Sequence, residues 1–223
     1  MKTLVKFFVL FVTTTLFSQN TIEQDIEEFT ELKVFDLIQV ELKKANHNKA
    51  IITGDNKEDV VIVNNEGKLK IKMKFNEAFD GAETKVVLYY TAIDIIDVNE
   101  GSKVESKDII EQFEIDLKAQ EGGIINVPIH VKYTNVRAVT GGSVTTTGVS
   151  KKQNVSLLTG GMYDGKSLKT QNTDVSISAA GEAYVNASKK VDAKVRAGGS
   201  IYIYGKPEEV NESKMLGGTI TRM

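Results

Sequence analysis

Apolar and polar positions alternate through the second half of the chain, and the alternation restarts at a nearly fixed interval. Leu117 and Ala119, Val136 and Ala138, Val155 and Leu157, Val175 and Ile177, and Ala193 and Val195 are apolar pairs. Each encloses one polar residue: Lys118, Arg137, Ser156, Ser176 or Lys194. A period of two with one dry side marks a half-buried strand. Each apolar pair ends three residues before a small dipeptide. These are Gly122-Gly123, Gly141-Gly142, Gly160-Gly161, Ala180-Gly181 and Gly198-Gly199, with Gly217-Gly218 closing the series. Successive dipeptides lie 19, 19, 20, 18 and 19 residues apart. After each comes a second, noisier inward set: Ile125, Val144, Tyr163, Ala183 and Ile201, then Val127, Thr146, Gly165, Val185 and Ile203.

Such a repeat predicts two short strands, one on each side of a glycine corner. A unit this small cannot bury its apolar side alone, but stacked copies share one continuous core. The expected fold is therefore all-β: a single-stranded β-helix, or β-solenoid, of about 19-residue repeats. With turns about 4.8 Å apart, five or six of them make a rod of roughly 25 Å. Residues 99–207 carry the regular repeats, with Asn99-Glu100-Gly101 as a degenerate first corner.

Residues 19–98 hold only three of the eighteen glycines and predict irregular N-terminal turns with a cap. Strands are expected there over Leu32–Val40, Ala50–Thr53, Leu69–Phe75 and Lys85–Tyr90; Asp59–Val63 fits a short helix or a strand. The apolar phase fails after Pro207, so residues 208–223 predict a C-terminal cap. A solenoid needs caps because its bare ends present unpaired strand edges.

Residues 1–18 predict a cleaved secretory signal: Lys2 and Lys6, then the apolar Phe7–Val12, then Leu16-Phe17-Ser18 before Gln19. The apolar run falls short of the roughly 20 residues needed to span a bilayer, and no other segment is a transmembrane candidate. An extracytoplasmic location follows, in the periplasm or at the cell surface. The chain has no cysteine, which removes disulfides, thiol catalysis and lipidation at a cysteine. Its formal net charge of −2 gives no basic field for nucleic acid.

Several runs resemble the bacterial "putative auto-transporter adhesin, head GIN domain" family. They are Leu37-Ile38-Gln39-Val40-Glu41-Leu42, Ile51-Ile52-Thr53-Gly54, Gly67-Lys68-Leu69-Lys70-Ile71, the corners Thr140-Gly141-Gly142-Ser143 and Ala197-Gly198-Gly199-Ser200, and the closing Gly205-Lys206-Pro207. The resemblance covers roughly residues 28–220. It implies a right-handed β-helix and an adhesive or surface role, and it carries over no catalytic residue. Gly-Gly stands here where many members have Gly-Ala.

The residues themselves offer little chemistry. His47 and His130 have no metal-ligand spacing, no serine sits on a strand-to-helix elbow, and no cofactor or metal is expected. Gly160-Gly161-Met162-Tyr163-Asp164 departs from the calcium-binding repeat at its third glycine. The best binding candidates are Tyr184 and Tyr202, expected to stack one turn apart on the outer surface, with Tyr204 beside them and Asp164 in the same phase. Aromatic surfaces of this kind suit sugar rings or an apolar partner. The expectation is a non-catalytic solenoid that binds glycan or another cell-envelope component. Two alternatives stay open: a carbohydrate-active β-helix enzyme, needing an acid, a base and a cation converging in a groove, and a self-associating structural protein of the envelope.

Overall fold

The computed structural model describes residues 21–223; the predicted signal, residues 1–18, lies outside the described residues. The described residues are 67% strand and 3% helix, stacked as a β-solenoid with about 19-residue spacing, as the repeat predicts.

The N-terminal part is built of short strands: Ile22–Asp25 (β1), Glu31–Val34 (β2), Gln39–Lys44 (β3), Lys49–Thr53 (β4), Val60–Asn65 (β5), Lys68–Met73 (β6), Lys85–Tyr90 (β7), Ile95–Val98 (β8) and Lys103–Ser106 (β9). The single strand expected over Leu32–Val40 is divided. Asp36 and Leu37 hold φ of 62° and 64° and turn the chain without a glycine. The buried Asp36 carboxylate fixes this corner, accepting from the N–H groups of Met73 at 3.0 Å and Phe79 at 3.1 Å. Stacking here does not follow chain order. Strand β2 pairs in parallel with both β6 and β8, and β3 with both β7 and β9. The coil β6–β7 thus lies outside the earlier coil β2–β3. Beyond it the strand direction reverses: β4 runs antiparallel to β7, β1 to β4, and β5 to β6.

The regular coils comprise Ile110–Glu111 (β10), Glu114–Gln120 (β11), Ile124–Val139 (β12), Ser143–Leu158 (β13), Met162–Ile177 (β14), Glu182–Ala197 (β15), Ser200–Tyr204 (β16), Glu209–Leu216 (β17) and Thr219–Arg222 (β18). The two short strands expected between corners are joined into one bent strand of 16 residues in β12 to β15. A second, glycine-free bend lies midway. In β12 the buried positions 125, 127, 129 and 131 give way to 134, 136 and 138, so the inward phase slips by one at Lys132-Tyr133. Parallel pairing resumes on both sides of each bend. The unequal 20- and 18-residue intervals are absorbed as register shifts between Thr145 and Thr147 and between Asp164 and Asn172.

The two glycines of a corner do different work. In Val139-Thr140-Gly141-Gly142, Thr140 and Gly141 hold φ of 50° and 72°, and the Gly142 N–H donates to the Val139 carbonyl at 3.0 Å. Two successive residues with positive φ give the turn its tight type I′ form. The next glycine lies against the Ala119 carbonyl, where a Cβ would collide with backbone. The Gly141 N–H also reaches the Thr159 carbonyl of the next corner at 3.2 Å, so the corners stack as the strands do.

Inside, Ala119, Ala138, Leu157, Ile177 and Val195 stand in register and are buried. Each large aliphatic member contributes about 1.5–3 kcal/mol of burial. The noisier second column holds a buried polar chain. Thr146 Oγ1 meets Tyr163 Oη at 2.7 Å, Tyr163 donates to Gln153 Oε1 at 2.8 Å, and Gln153 Nε2 donates to Thr173 Oγ1 at 2.9 Å. Residues 208–223, expected as a cap, form one more parallel coil, with β17 on β15 and β18 on β16. The apolar phase is lost there because Glu212, Lys214 and Arg222 stand in register with the buried Ala193, Val195 and Ile203. Arg222 Nη2 donates to Glu212 Oε1 at 2.8 Å, which places an ion pair where the core would otherwise continue.

Candidate functional site

The stacked second halves of β12 to β15, with β11, form one outer surface of the solenoid. Outward residues on it repeat by register. One column reads Asp116, Asn135, Asn154, Asp174, Asp192 and Asn211; its neighbour reads Lys118, Arg137, Ser156, Ser176, Lys194 and Ser213. Up to Asp192 and Lys194 these residues, together with Arg196, line a groove of about 540 Å³ that runs along the stack from β11 to β15.

The first column is a ladder of amides and carboxylates. Asn135 Nδ2 donates to Asp116 Oδ1 at 2.8 Å and to Glu114 Oε1 at 2.7 Å, and Asn154 Nδ2 donates to Asn135 Oδ1 at 2.9 Å. Asn211 Nδ2 donates to Asp192 Oδ1 at 2.8 Å. That amide is the main reason the Asp192 carboxyl sits below the usual carboxylate range; burial opposes it, and the Lys190 charge assists. Asp174 is paired with Lys152 at 2.8 Å. Asp192 lies 3.7 Å from Lys190, and Asp116 lies 3.7 Å from Lys118. The acids are thus answered by amides and lysines, two of the latter at the second bend. Their observed geometry is that of hydrogen-bond and ion-pair acceptors.

The opposite outer surface carries the residues singled out in the sequence. Asp164, Tyr184 and Tyr202 stand in one register column, followed by Thr221. The Tyr184 and Tyr202 rings stack with centroids 4.8 Å apart and planes 12° from parallel. Lys166 Nζ lies 5.1 Å from the Tyr184 ring centre and 3.7 Å from Asp164. Tyr184 is covered on one side by its partner ring and on the other by this cation. Desolvation, followed by the neighbouring Glu182, raises its hydroxyl pKa. Tyr202 meets only Thr221 on its far side in the column. Tyr204 is two residues along the same strand, in register with Asn186. His130 stands exposed, 3.9 Å from Glu111.

The groove was not among the sites expected from sequence, although its signal is there. Asp116, Asn135, Asn154, Asp174, Asp192 and Asn211 recur at intervals of 19, 19, 20, 18 and 19, the intervals of the small dipeptides. An outward column repeats as strictly as an inward one when each coil stacks on the last.

Residues 28–207 match the family described as "Putative auto-transporter adhesin, head GIN domain". No curated protein matches. The crystal structure of a "putative adhesin" from Bacteroides fragilis is 17% identical with a TM-score of 0.85, covering 92% of this chain and 96% of that one. A "putative lipid binding protein" from Parabacteroides distasonis is 16% identical with a TM-score of 0.71, over 92% and 96%. A "putative adhesin" from Parabacteroides merdae is 14% identical with a TM-score of 0.70, over 92% and 95%. At these identities the likeness is one of fold. Among the described residues, no helix is long and apolar enough to cross a membrane.

Proposed function

Given that the chain belongs to the "putative auto-transporter adhesin, head GIN domain" family, we propose that it is a non-catalytic, adhesin-like module. It works outside the cytoplasm and holds a glycan or another cell-envelope component against the outside of its solenoid. The observation that carries this reading is the groove of about 540 Å³, lined by a continuous ladder of amides, carboxylates, hydroxyls and cations. A sugar chain offers many hydroxyls, and such a lining supplies donors and acceptors to match them. Its carboxylates are already engaged by amides and lysines, which suits holding a ligand better than cleaving it. The tyrosine column is a second contact in this proposal, with Tyr202 and Tyr204 meeting a ring and Asp164 and Tyr184 next in line. The names of two similar structures, each called a putative adhesin, agree with it.

A glycan array together with pull-down from cell-envelope fractions tests the reading. Ser156→Trp places a large side chain on the groove surface of an outward position. It should abolish capture while leaving the thermal midpoint within about 2 °C, as expected of a surface change within about 0.5 kcal/mol. Full capture by this variant would remove the groove as the site, and a wild-type chain that captures nothing would remove the function.

A further inference from the structure

Resting on the reading of the groove as a glycan site, we propose that its ligand is an acidic linear glycan lying along the solenoid axis. Its carboxylate or sulfate groups pair with Arg137 near one end of the groove and with Lys194 and Arg196 near the other. The inference begins from how the charges are partnered. Asp116 is met by Lys118 and Asn135, Asp174 by Lys152, and Asp192 by Lys190 and Asn211. Among the described residues, Arg137, Lys194 and Arg196 have no carboxylate within ion-pair distance. All three are exposed and line the groove. The acids are satisfied and these cations are not, so the groove presents positive charge to an incoming molecule. A guanidinium presents parallel N–H donors shaped for a carboxylate or sulfate.

The spacing favours a chain over a small anion. Arg137 and Lys194 belong to one column, separated by Ser156 and Ser176. They stand three inter-strand steps apart, about 14 Å. The two serines, with their short side chains, leave the middle of the groove open and supply hydroxyls, with Asn154 beside them. A pyranose in an extended chain advances by close to one inter-strand step, so successive sugars would meet successive coils, with acidic groups required only toward the ends. Single-stranded nucleic acid is also a linear polyanion, but its sites place aromatic rings among the cations. No aromatic residue lines this groove.

The test is titration of the full chain with oligogalacturonate, chondroitin sulfate, a neutral β-glucan of matching length, and oligo-dT, each at low and high salt. The expected result is at least tenfold tighter binding of an acidic glycan than of the neutral one. That preference should shrink as salt rises and be lost in Arg137→Gln/Arg196→Gln. The double variant Lys169→Gln/Lys189→Gln removes the same charge from exposed positions outside the groove and should bind as the wild type does. The uronate and sulfate arms separate the two sources of acid, and preference for either supports the proposal. Equal binding of neutral and acidic glycans, unchanged by Arg137→Gln/Arg196→Gln but blocked by Ser156→Trp, would overturn the acidic ligand and keep the groove. Binding unaffected by Ser156→Trp would overturn both, and oligo-dT bound as tightly through the same arginines would replace the glycan with a nucleic acid.

Discussion

Gly165 shows how one missing side chain supports a network. A Cβ built there would collide with the hydroxyl and ring of Tyr163, and that hydroxyl joins Thr146 to Gln153 inside the core. Gly165→Ala should displace the ring and destabilise the chain by about 1–3 kcal/mol, the range for overpacking. Tyr163→Phe should cost about 1–3 kcal/mol through the polar partners it strands. Denaturant unfolding measures both. Burial drives the Tyr163 hydroxyl pKa far above its ordinary value, and raises that of Tyr90 to about 12. A pKa higher in the folded than in the unfolded chain gives stability that is complete below the unfolded value, near 10. It fades as pH rises from there through the folded value. Melting points should therefore fall with increasing alkalinity above about pH 10, and Tyr163→Phe should flatten that fall. An equally steep decline in the variant would assign the effect to other groups.

Adjacent residues on one strand can differ completely in what they tolerate. Ile177→Lys would bury an unpaired charge and forfeit about 1.5–3 kcal/mol of apolar burial, whereas Ser176→Lys points the same side chain into solvent. Thermal melting should show a large loss for the first and a change within about 0.5 kcal/mol for the second. Equal shifts would contradict the inward phase. That phase was legible because the Leu157, Ile177 and Val195 positions repeat beside glycines. The corner at Asp36-Leu37 was not, since no glycine marks it and Asp36 acts through backbone groups distant in sequence. The mid-strand bends were also hidden, because a slip of phase between two polar residues leaves no turn signature. The groove escaped for another reason: polar columns on an outer surface read as ordinary solvated positions until neighbouring coils align them into one surface.

The two ends of the rod are closed by different means. At the N-terminal end β4 and β5 run antiparallel to the coil strands β7 and β6 that they cover, and β1 runs antiparallel to β4. At the C-terminal end the coils stay parallel, and charge replaces the aliphatic columns through Glu212, Lys214 and Arg222. Inward charges are a known defence against edge-to-edge association. Glu212→Leu/Arg222→Leu should therefore associate end to end, with a mass that rises with concentration in light scattering. A variant that behaves as the wild type at every concentration would show that the open strand edges are blocked by something other than this ion pair. Within the stack, Glu31–Lys44 lies between two coils made later in the sequence, Lys68–Tyr90 on one side and Ile95–Ser106 on the other. Trimming the polypeptide back past residue 45 would therefore pull a brick from inside the wall rather than lower its top. The emerging chain must likewise hold that first segment unfinished until more than fifty further residues have arrived to enclose it.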